Sequence, residues 1–157
     1  MTTTDTDTPA AGLRAWASGY LPLEAAVELL IRSDFAQTWR PWIVPCDEDG
    51  STARAHWHAV DFEILMDSIG PMSGGERRLL TLAASIAGRG GEGKAVVIGD
   101  MLGSLNRGWV DLILAAIAHA AGTHQGSRLL YNAEGDPTGF EPITTSLHPW
   151  PESGDPA

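Results

Sequence analysis

Apolar positions along the chain recur with two different periods, and the switches between them mark out its elements. In "LPLEAAVELLIRSDF", Leu23, Ala26, Val27, Leu30 and Ile31 keep the i, i+3, i+4 spacing of an amphipathic helix. Pro22 stands where a first-turn proline is tolerated. The stretch "RPWIVPCDEDGSTARAHWHAV" reads as a β-hairpin, with β-prone runs Trp42 to Cys46 and Arg54 to Val60 around the turn cluster DEDG. Asp61 is placed to cap a short helix through Ile64, Leu65 and Met66, ended by Gly70-Pro71. A longer helix follows Ser73, with Leu79, Leu82, Ala83, Ile86 and Ala87 on one face.

"GRGGEG" breaks that helix, and the apolar run AVVI at 95 to 98 predicts a buried strand. Residues 109 to 121 are apolar nearly all round and predict a buried helix; "SRLLYNA" predicts a final strand beside the first. The alternation gives a small single domain of the α/β or α+β class, with a short, mostly buried sheet, an N-terminal hairpin and three to four helices. Residues 1 to 12 and 148 to 157 are rich in Thr, Asp, Pro and other polar residues, and are expected to be flexible tails on a globular unit at 13 to 147.

Composition narrows the classes. A chain of 157 residues, 43% apolar and 19% charged, is long enough to bury one core. No stretch approaches a membrane span of ~18 apolar residues, and the N-terminus lacks the basic and apolar regions of a signal peptide, so a cytoplasmic protein is expected. Cys46 is the sole cysteine, which excludes an intrachain disulfide and a multi-cysteine zinc site. A net charge of −10, with only Arg77 and Arg78 forming a basic cluster, weighs against direct nucleic-acid binding.

The stretch "PMSGGERRLLTLAASIAG" carries the most specific chemistry. Ser73 and Glu76 have the S-x-x-E spacing of a capping box, in which each side chain satisfies the other residue's backbone amide. A capping box has no need of Gly74 and Gly75, each of which costs roughly 1 kcal/mol of helix propensity relative to alanine. A glycine pair at a helix start suits backbone that comes close to something, commonly a phosphate.

With its apolar helix, this stretch resembles the LSGGE signature of ABC-type ATPases, particularly the SMC and RecN branch. The resemblance extends over residues 71 to 131, because "AVVIGDMLGSLNRGWVDLILAAIA" aligns without a gap on that branch's Walker B strand, D-loop and following helix. It implies a degenerate, truncated C-terminal lobe, with Ser73, Gly74, Gly75, Glu76, Asp100 and Asn106 as nucleotide-contact candidates. Gly99 falls on the magnesium-binding Asp position, Asp100 on the catalytic Glu position, and Leu105-Asn106 on the D-loop Leu-Asp. Glycine offers no metal ligand, and an Asp one methylene short misplaces a general base by about 1 Å. The switch-histidine position reads Asn132-Ala133. "GRGGEGKA" supplies Lys94 of a phosphate loop, but Ala95 replaces the magnesium-binding Ser or Thr, and the loop follows a helix instead of a strand. No working Walker A is present, so ATP and magnesium enter only through a partner.

Other clusters are less specific. Trp39, Trp42 and Trp57 are read as partner-contact or core anchors. His56 and His58 share a hairpin face and are weak metal candidates, with Asp47, Asp61 or Cys46 as conceivable third ligands. His119 is read as a satisfied core histidine, and Cys46 lacks a recognisable base and orienting group. Two readings follow. The first is a non-catalytic module that binds a protein partner or a second copy. The second is a nucleotide-responsive subunit that donates its SGGE helix start in trans to ATP held by a partner ATPase.

Overall fold

The computed structural model describes residues 9–46, 58–89 and 96–152, and within them the chain is a small α+β domain. Six helices, α1 (Pro9–Ala17), α2 (Leu21–Arg32), α3 (Phe62–Ser68), α4 (Gly74–Ile86), α5 (Ile98–Leu102) and α6 (Arg107–Ala120), accompany four strands among the described residues. The strands β1 (Ile43–Pro45) and β2 (His58–Val60) form one antiparallel pair, and β3 (Gly126–Tyr131) and β4 (Pro137–Ile143) form another.

Packing of α2 against both α4 and α6 makes the centre of the molecule. Leu29 and Leu30 of α2, Leu79 and Leu80 of α4, and Ile113 and Ala116 of α6 share one buried cluster. The i, i+3, i+4 stripes in the sequence are what allow three helices to meet there. Trp42 is the largest side chain in this core; its relative exposure is 1%, and its indole N–H donates to the Phe35 carbonyl at 2.9 Å. That bond satisfies the one polar atom that burial would otherwise strand.

Several expected elements are present. The β1–β2 pairing sets Ile43 opposite Val60 and Pro45 opposite His58. The Asp61 carboxylate accepts from the amides of Glu63 and Ile64, capping α3. The DEDG turn, His56, Trp57 and Lys94 lie outside the described residues.

Three expectations are corrected. The AVVI run is not a strand where it is described: Val96 and Val97 are irregular, Ile98 opens α5, and Val97 and Ile98 are exposed. A buried strand needs a neighbouring strand, and the one expected to supply it, β3, pairs instead with β4. Helix α6 is buried on one side only, with Leu114 and Ile117 exposed opposite the core. Both stretches read as tails also contain ordered chain. Helix α1 begins at Pro9 because Leu13 and Ala17, one turn apart, bury against its neighbours. Residues 148 to 152 are tied down by His148 Nε2 on Asp111 Oδ1 at 2.6 Å and by Arg32 donating to the Pro151 carbonyl at 2.6 Å. The Trp150 ring lies 5.4 Å beneath the Arg32 guanidinium.

The β3–β4 hairpin projects from this body. None of its hydrophobic residues belongs to the core cluster or is among the partly buried hydrophobics packed against it. At its base, Thr123 Oγ1 lies 3.1 Å from Ser146 Oγ and accepts from the Leu147 amide at 3.2 Å. At its tip, the Asn132 side chain accepts from the Asp136 amide, and Gly135 takes φ +89°, where a side chain would be strained.

Candidate functional site

The segments that carry the sequence resemblance lie side by side. Ser73 is the exposed N-cap of α4, and both halves of its capping box are formed. Ser73 Oγ accepts from the Glu76 amide at 3.3 Å, and Glu76 Oε2 accepts from the Ser73 amide at 2.9 Å. The Ser73 hydrogen bonds, from its side chain and then its backbone, hold the Glu76 carboxyl below the usual carboxylate range, and the Arg40 guanidinium adds a smaller attraction. The helix start is thus already occupied by a carboxylate of its own chain.

Of the two glycines, Gly75 has a close neighbour within the chain itself. A Cβ added there would stand 3.2 Å from the Ser104 carbonyl oxygen and 3.3 Å from Cζ3 of Trp109, whereas one added at Gly74 would meet only the Arg78 guanidinium, at an ordinary 3.7 Å. That close approach is to the turn before α6. Asn106, the residue aligned on the D-loop aspartate, caps α6 by accepting from the Trp109 amide at 2.8 Å, at the residue whose indole lies over Gly75.

Beside this contact, Ile69, Gly74, Arg77, Arg78, Thr81 and Met101 wall a shallow depression of ≈ 230 Å³. Asp100 lies exposed in the first turn of α5. The first-turn amides of Gly74 and Gly75 have no intrahelical acceptor.

No known protein family matches this chain, and neither does any curated protein or solved structure.

The tryptophan candidates separate. Of the two roles read for Trp42, its burial in the core cluster supports the core anchor. Trp39 stays at the surface, 70% exposed, with Arg40 stacked 4.2 Å over its ring. That guanidinium also lies 5.0 Å from the Phe35 centroid and 5.4 Å from Trp42, a cation held among three aromatic rings that the sequence reading did not foresee. His58 lies half-buried in β2, and among the described residues no three His, Cys, Asp or Glu side chains are grouped to hold a metal.

His119 has the partner a buried-side histidine needs, Glu24 Oε2 at 2.8 Å. That hydrogen bond, chiefly, draws the Glu24 carboxyl below its ordinary range. The His124 ring stacks on His119 at 4.4 Å, and its Nδ1 is buried without a hydrogen-bond partner among the described residues.

The feature that sequence reasoning missed is the exposed hairpin. Leu129 pairs with Phe140 and Ser127 with Pro142, so by strand alternation Leu129, Tyr131, Phe140 and Pro142 share one face. Tyr131 is 62% exposed and Phe140 72%. The opposite face carries the Arg128–Glu141 ion pair between Leu130 and Ile143, both also exposed. The signal lay in "NAEGDP", a turn cluster between two β-prone runs, the second of which, "TGFEPI", went unread.

Proposed function

We propose that this chain is a non-catalytic protein-interaction module whose docking element is the β3–β4 hairpin. The observation that carries it is an apolar hairpin face against which none of the described residues of the core cluster packs. A two-stranded hairpin in water is marginally stable at best, and gains stability once a third layer or strand covers an apolar face. Exposed large side chains grouped on one surface are the usual mark of a binding site. The reading moves the partner surface away from the Trp-rich region, where Trp42 is buried, to Tyr131 and Phe140.

The test compares cross-linked partners of the full chain in its native host with those of a Tyr131→Ser, Phe140→Ser variant. A partner captured by the parent and lost by the variant is the expected result. Identical capture by both would overturn the reading.

One observation favours the second reading, donation of the SGGE start to a nucleotide held elsewhere: Ser73 is exposed and the Gly74 and Gly75 amides lack intrahelical acceptors. Against it, the Glu76 carboxylate sits at the same helix start and repels an incoming phosphate. A Ser73→Arg variant separates the two, since partner capture through the hairpin is indifferent to it and in-trans donation is not.

A further inference from the structure

Resting on the hairpin as the docking element, we infer that its occupant is an extended, basic segment of another protein, added as a third strand along β3. The two edges of the hairpin are not equivalent. Strand β4 contains Pro137 and Pro142, which remove backbone donors, whereas β3 contains no proline. Charged side chains commonly blunt an exposed edge, but the cation that β3 carries, Arg128, is drawn across the hairpin into its pair with Glu141. Among the described residues no strand pairs with the outer edge of β3, so an added strand finds a ladder there, with Leu129 and Tyr131 of β3 beside its alternate side chains and Phe140 one strand beyond.

Charge decides the occupant. From the start of β3 to residue 152, Glu134, Asp136, Glu141 and Glu152 stand against Arg128 alone. Glu134 and Asp136 are exposed at the hairpin tip, next to Tyr131, and neither has an ion pair among the described residues. A second copy would bring one −10 chain against another and is disfavoured by repulsion. Lys and Arg on an incoming strand meet both complements at once: carboxylates at the tip, and the ring faces of Tyr131 and Phe140.

The experiment pans the full chain against a displayed library of short randomised peptides, with the Tyr131→Ser, Phe140→Ser and Glu134→Lys, Asp136→Lys variants as counter-selections. Thermal unfolding first establishes that each variant folds as the parent does; these side chains are exposed, so no shift is expected. The expected result is enrichment of peptides that alternate apolar residues with Lys or Arg, bound about tenfold more weakly by the charge-reversed variant and not retained by the Ser variant. Enriched peptides that lack a basic excess yet need Tyr131 and Phe140 would overturn this inference and leave the interaction module standing. Parent chain that elutes as a dimer, made monomeric by the Ser variant, would name a second copy and overturn it too. Peptides indifferent to both variants, or no enrichment, would overturn the inference and the hairpin reading together.

Discussion

The indole of Trp109 lies close to the backbone of Gly75, and the 3.3 Å left for a Cβ there is tight enough that a neighbour must give by a few tenths of an ångström. Gly74, one residue earlier, has no such neighbour. Gly74→Ala should therefore gain up to about 1 kcal/mol from helix propensity and a stiffer unfolded chain. Gly75→Ala should fall at least about 1 kcal/mol short of that, because the overpacked indole or the Ser104 carbonyl must shift. Thermal unfolding of both variants checks this, and equal stabilisation would show that the contact imposes no constraint.

Ser73 and Asn106 act first as caps. Ser73→Ala removes the acceptor for the Glu76 amide and Asn106→Ala the acceptor for the Trp109 amide, so each should cost about 1 kcal/mol. The two helix starts meet at Gly75, so the double variant should depart from additivity. Denaturant midpoints of the two singles and the double give the coupling.

Trp42 fills the core and spends its indole N–H on Phe35. Trp42→Phe should lose about 1 to 3 kcal/mol, and Trp42→Ala about 3 to 5 kcal/mol. A near-neutral alanine variant, measured by urea unfolding, would contradict the burial seen here.

Glu28 governs part of the acid response. Burial alone would raise its carboxyl, but hydrogen bonds from Arg14 and Arg32 outweigh that and hold it below the ordinary value. A carboxyl depressed in the folded state adds stability above the unfolded value of about 4.3, and that contribution is lost as pH falls through the lowered folded value. Glu28→Gln should cost about 1 kcal/mol at neutral pH and flatten the acid limb of stability against pH. Parallel acid limbs for parent and variant would exclude this role.

The helical part of the fold was legible because its signals are local. Asp61 and Ser73 announce their helices within three residues, and the stripes of α2 and α4 select a face without knowledge of its partner. The run at 96 to 98 was not legible, since an apolar run shows burial potential but not whether a second strand exists to receive it. Gly75 posed the same difficulty: the sequence marks a place of close approach, and only the fold shows that the Ser104 carbonyl and the Trp109 ring stand there. The hairpin face is not legible because Phe140 and Tyr131 read as core residues in sequence, and only the fold shows them exposed.

Thr123 and Ser146 meet at the base of the hairpin, so the chain between them leaves the body and returns to it at one point. That stretch is a cassette. Changes to the strands within it, Gly126–Tyr131 and Pro137–Ile143, touch no member of the core cluster and should leave the helices behind them in place.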